Sequence, residues 1–169
     1  MARERSKVLK ASGFRWEAVE LRAYKAADAA PFKDVTRQTL LGEGPGEAPL
    51  SFLTRYFEVQ PGGYSTLERH RHPHAVVVLR GRGRVVLGDR TFDLAPHDCV
   101  YVAPGRPHQF QATGSEPLGF LCMVDRERDR PTAISRPAPA PPSPRPPASP
   151  RGARRTGHRR STRRPRRSR

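Results

Sequence analysis

The chain of 169 residues is long enough for one ordinary domain and too short for two comfortable ones. Its net charge of +16 is uneven: residues 1–129 hold all 16 Asp and Glu with 19 of the 32 Lys and Arg, whereas residues 130–169 hold 13 arginines and no acid. Two cysteines in apolar runs argue against a disulfide framework, and the start "MARERSKVLKASG" carries charge with no apolar stretch behind it, so neither a signal peptide nor a membrane span is expected and the default location is the cytoplasm.

Residues 1–50 form an N-terminal extension that reads extended at "FRWEAVEL" and "FKDVTRQTLL", one or two strands to pack on the main sheet, with "GEGPGEAP" as the loop leading into it. From residue 51 the period is that of strands: "SFLTRYFEVQ", "YSTLERH", "HAVVVLR", "RVVLGD", "RTFDLA", "DCVYVA", "HQFQA" and "PLGFLCMV" succeed one another with Gly, Pro and Asp between them. So many short strands in one stretch, residues 51–129, predict an all-β sandwich or small barrel and no helix of usual length. Gly88-Asp89 suits a two-residue hairpin turn, and "GRG" at 81–83 lets the chain reverse after the valine strand. No helix follows "RGRGR" to offer its amides, which weighs against a phosphate-binding loop there.

Residues 130–169, rich in Pro, Arg, Ser and Ala, hold one large aliphatic side chain, Ile134, and are read as a disordered basic tail. Such a tail is able to hold nucleic acid through phosphate contacts; a solvated tail of no fixed role is the plainer reading, because no aromatic residue is interleaved for base stacking.

The stretch "STLERHRHPHAVVVLRGRGRV" places His70, His72 and His74 on alternate positions. Side chains two apart in a strand share a face, so the three imidazoles converge on one side with Val76 and Val78 as inward neighbours, Pro73 permitting. Nitrogen donors beside an apolar wall are what a metal centre inside a barrel needs. His108, in "APGRPHQF", is a fourth candidate carried inward on a later strand, and Phe110 shares its parity as pocket wall. Glu68 shares the parity of the triplet and is a weak candidate for a catalytic base, an exposed surface glutamate being the plainer alternative. Neither Cys99 nor Cys122 has a histidine partner that the sequence places, and His97 and His158 are given no role.

Residues of about 51 to 125 resemble a cupin, in particular the small stand-alone cupins of bacteria. His70 and His72 match the histidine pair of the family's first motif and Gly81 its closing glycine, which puts His74 where the family usually has a glutamate; a register closing on Gly83 puts Val76 there instead. Gly105 and His108 fit the second motif, whereas His97, Ala103 and Ala112 stand at its leading glycine, proline and asparagine. The resemblance implies a jelly-roll barrel, a double-stranded β-helix, with one divalent transition metal (Fe, Mn, Ni, Cu or Zn) on His70, His72, His74 and His108. It further implies a small metal-dependent dioxygenase or oxidoreductase acting on a small organic substrate, or alternatively a non-catalytic binding or sensor module. Pairing of such barrels into a homodimer through residues 14–41 is expected as well.

Overall fold

The computed structural model of the chain describes residues 5–26 and 31–134. Among these residues thirteen strands form: β1 (Ala11–Ser12), β2 (Arg15–Trp16), β3 (Arg22–Ala23), β4 (Lys33–Leu41), β5 (Phe52–Tyr64), β6 (Glu68–Arg69), β7 (His74–Arg80), β8 (Gly83–Leu87), β9 (Arg90–Leu94), β10 (Cys99–Val102), β11 (His108–Ala112), β12 (Leu118–Asp125) and β13 (Thr132–Ala133). Among the described residues there is no helix, and every strand pairing is antiparallel.

The long strand β5 organises the sheet. Along Phe52–Val59 it pairs with β4 on one edge and β12 on the other, and at Tyr64 it turns onto β11. β12 carries the order on to β7 and β10, while β11 passes it to β8 and β9 on one branch and to β6 and β13 on another. The sheet therefore curls on itself as a jelly roll does, and no long edge of β5 or β12 is left unpaired. The extended segment expected at residues 32–41 is a full member of this sheet and not only a strand laid against it.

Alternation decides what faces inward. In β7 His74, Val76 and Val78 are buried while Ala75 is exposed; in β10 Val100 and Val102 are buried while Cys99 and Tyr101 are exposed. Cys99 is therefore exposed, whereas Cys122 in β12 is buried, and both are free. Phe57, Phe110 and Phe120 stack in series, with ring centroids 5.6 Å apart between Phe57 and Phe120 and 4.6 Å apart between Phe110 and Phe120. These rings join the buried valines of β7, β8 and β10 in one core cluster.

Turns coincide with the glycines. Gly88 takes a φ of +66° where β8 reverses into β9, with Leu87 opposite Arg90. Gly81 takes +72° where β7 ends, and its missing side chain leaves room for the Pro117 carbonyl, which a Cβ would strike. His97, at a φ of +77°, sits in the turn before β10. The described chain pairs with the sheet as far as Thr132–Ala133, a few residues past the expected start of the basic tail; residues 135–169, and with them the expected disorder, lie outside the described residues.

Candidate metal centre

Three consecutive alternate residues deliver the histidines. β6 ends at Arg69, Pro73 interrupts the pairing, and β7 begins at His74, so His70 and His72 sit in the short link between the two strands. The alternation expected of a strand survives this break: the His70 and His72 rings stack at 3.6 Å, and His74 lies 4.5 Å from His70. β11 brings His108 opposite Glu68, with its ring 4.7 Å from that of His70 and 5.2 Å from that of His74. The amide of Gly105 donates to the His70 carbonyl at 2.7 Å, which ties the turn before β11 to the histidine link. All four imidazoles are at most 9% exposed.

Hydrogen bonds assign the ring nitrogens. The Nδ1–H of His70 donates to the His72 carbonyl at 2.8 Å, that of His72 to the Asp129 carboxylate at 2.8 Å, and that of His108 to the Arg106 carbonyl at 3.0 Å. Carbonyl and carboxylate oxygens only accept, so each of these rings turns an Nε2 lone pair toward the cavity. The Nε2 atoms of His70 and His108 face each other at 3.2 Å. Two lone pairs that close repel unless a cation or proton stands with them. His74 Nε2 is buried with no hydrogen-bond partner, while its Nδ1 lies 3.6 Å from Cys122 Sγ. A divalent transition metal bound among these nitrogens would meet the unpaired donors, and in that sense the donor set fits one.

Burial, then the neighbouring imidazoles, lowers the pKa of His70 from 6.5 to about 4, and burial first of all puts His74 and His108 below their ordinary value too. Neutral imidazole is the form that binds metal. Two groups have ligand atoms within 4.8 Å of one another, His70 with His72 and His74, and Glu68 with His70 and His108. The two share His70.

Glu68 is not a surface residue: it is 7% exposed, faces the cavity, accepts from the Tyr24 hydroxyl at 3.4 Å and pairs with Lys25. A cavity of about 630 Å³ holds this site. Phe110 lines it with Phe57 and Phe120, while Val76 and Val78 lie in the core cluster. Cys122, which the sequence left without a histidine, lies on the cavity wall between His74 and Arg55, whose Nη2 donates to the sulfur at 3.4 Å. Burial pushes its thiol up, with Arg55 opposing. Asp129, also missed, accepts from the backbone amides of Arg71 at 2.8 Å and His72 at 3.2 Å; these bonds and the His72 ring hold its carboxyl well below the usual range. Nothing in the local pattern around Asp129 or Cys122 signals this, because both partners come from 48 or more residues away.

An eleven-stranded curled antiparallel sheet with inward imidazoles on β7, on β11 and on the link between β6 and β7 defines a small β-barrel protein with a buried histidine cluster that could hold a metal ion. Residues 55–124 match the cupin domain family. The chain belongs to that family, as a cupin-2 domain protein. It is 51% identical over 120 residues to 1-methylthio-D-xylulose 5-phosphate methylsulfurylase of Rhodospirillum rubrum, covering 71% of this chain and 74% of that protein. Among solved structures, a cupin-2 domain protein of Rhodospirillum rubrum superposes with a TM-score of 0.65 at 47% identity, over 78% of this chain and 85% of that one. A cupin 2 conserved barrel domain protein from Rhodopseudomonas palustris does so with a TM-score of 0.67 at 44% identity, over 78% and 87%.

Proposed function

We propose that the protein is a metal-dependent enzyme acting on a small phosphorylated ketose that carries a thioether, of the kind named for its Rhodospirillum rubrum relative. The observation that carries the reading is the convergence of imidazole nitrogens on a cavity whose wall also holds a buried thiol, Cys122, 3.6 Å from His74. When bound, a divalent metal supplies Lewis acidity toward a carbonyl or enediol oxygen. His70, His72, His74 and His108 are the side chains that would hold it.

The rest of the chemistry falls to the chain itself. Glu68 is buried against Lys25 and Tyr24 on the same cavity, and in this reading it takes or returns a proton at the substrate carbon. The Cys122 sulfur attacks the thioether sulfur, forming a methyl disulfide as the bond to the ketose carbon breaks. The electron pair stays on that carbon, which takes up the proton given up by the thiol, passed through Glu68. Exchange with an added small thiol releases the methylthio group and restores Cys122. Phe57, Phe110 and Phe120 keep the carbon skeleton out of water. Oxygen-dependent oxidation, the reaction class expected from the sequence, gives way in this reading to chemistry at a carbon–sulfur bond, because the relative's substrate and the pocket thiol point the same way.

The test is turnover of 1-methylthio-D-xylulose 5-phosphate by protein loaded in turn with Mn, Fe, Ni, Cu or Zn, with and without a small thiol, followed by loss of the methylthio proton signal. Consumption that disappears in Cys122→Ser, with metal content unchanged, is expected. Binding of the compound without turnover under any of these metals would return the protein to the alternative of a non-catalytic binding module.

A further inference from the structure

The cavity that holds the histidines also carries positive charge that the histidine cluster does not use. Arg37 from β4, Arg55 from β5 and Arg128 from the segment after β12 all line it. Lys25 is paired with Glu68, and the other ion pairs among the described residues involve none of the three arginines. Arg55 is 8% exposed, with its guanidinium 5.0 Å from the centre of the Phe57 ring. Its Nε and that of Arg37 are buried with no hydrogen-bond partner.

The three charges press on one another. Arg37 and Arg128 are both held below their ordinary value, by burial first and then by Arg55, and Glu43 is the carboxylate that opposes this at each of them. Arg128 is exposed at the cavity's edge, where its Nη1 donates to the carbonyls of Asp125 and Arg126. The costly buried donors are therefore those of Arg37 and Arg55, and that cost is offset when a ligand brings the opposite charge and the missing acceptors. A guanidinium presents a planar fork that matches the oxygens of a phosphate. Three such forks suit a dianion better than a single carboxylate.

We propose that Arg37, Arg55 and Arg128 form the subsite for the phosphate group of the substrate. This inference rests on the reading above that the substrate is a sugar phosphate. Arg55 touches Cys122 and Cys122 touches His74, so one cysteine side chain separates the anion site from the metal centre. A ligand with its phosphate on the arginines runs its carbon chain across the thiol toward the imidazoles. The subsite thus sets the substrate's direction in the cavity as well as its charge.

The test titrates inorganic phosphate into full-length protein stripped of metal with EDTA, at a fixed chloride concentration, and reads binding by phosphorus NMR and calorimetry. Wild type is compared with Arg55→Met and Arg128→Gln. The arginines of residues 135–169 are common to all three proteins, so any unspecific binding there is a shared background. Saturable binding in the wild type is expected, weaker by tenfold or more in Arg55→Met and by several-fold in Arg128→Gln, with metal uptake equal in all. Arg128 lies outside the long strands, so its variant keeps the question open to measurement if Arg55→Met fails to fold. Equal phosphate affinity in the wild type and both variants, or acetate bound as tightly as phosphate, would overturn the subsite. Arginine-dependent phosphate binding without turnover of the sugar phosphate would leave the subsite standing and sink the functional reading instead.

Discussion

The Nδ1 atoms of His70, His72 and His108 are each committed to an oxygen acceptor, and that decides which nitrogen the ring offers to a cation. Of these acceptors only Asp129 is a side chain, and its carboxylate also clasps two backbone amides of the histidine link. Asp129→Asn keeps the shape but weakens the acceptor facing His72, and carboxylates in this position typically govern metal affinity by about 10- to 100-fold. A loss in that range, measured by competition with a chelator, is expected; unchanged affinity would show that His72 needs no orienting partner. The histidines were legible in the sequence because period-two spacing is local. Asp129, Cys122 and Arg55 were not, because their meaning depends on which strands become neighbours, and the burial of Glu68 depends on Tyr24 and Lys25 closing over it from the N-terminal segment.

At the scale of elements, β7 and β11 were legible to the residue, since "HAVVVLR" and "HQFQA" are bounded by Pro, Gly and charge that stop a strand. "YSTLERH" was read as a strand of its own, yet only Glu68–Arg69 pair, because Tyr64 belongs to the end of β5 and Ser65 turns the chain by bonding Phe110. The joining of β4 to β5 over most of its length was beyond local pattern, as it is a pairing across a ten-residue loop (42–51) with bulges at both ends. Gly81 offers a direct check on the β7–β8 reversal. Gly81→Ala forces an L side chain into positive φ and onto the Pro117 carbonyl, so denaturant unfolding is expected to show a loss of more than about 1 kcal/mol. A stability equal to wild type would mean that the turn relaxes without cost.

The whole molecule joins a barrel with a buried set of neutral imidazoles to a basic segment. Burial puts the folded-state pKa of His70, His74 and His108 below the unfolded value of 6.5, so the folded form binds fewer protons than the unfolded one as pH falls. The stability this contributes is fully present above pH 6.5 and is lost on acidification toward the folded value of His70, near 4. Metal-free protein should therefore unfold at lower denaturant as pH drops from 6.5 to 4, and bound metal should resist this; a flat profile would mean that the imidazoles are reached by water. No described helix is long and apolar enough to cross a membrane. Two expectations from the sequence concern assembly, a homodimer through residues 14–41 and nucleic-acid binding by the basic tail. Light scattering should give twice the mass of one chain, with one chain's mass at micromolar concentration refuting the dimer. Any affinity for RNA should fall steeply with salt and vanish on truncation at residue 130, and equal binding by the truncated chain would sink that role.

The central claim is a single metal centre in which His74 takes the place of a carboxylate ligand. Elemental analysis of tag-free protein, purified without a nickel column, tests it most directly when wild type is set beside His72→Ala and His74→Ala. The account predicts about one transition metal ion per wild-type chain and its loss in both variants. No metal in the wild type after reconstitution, or full retention in His74→Ala, would contradict it.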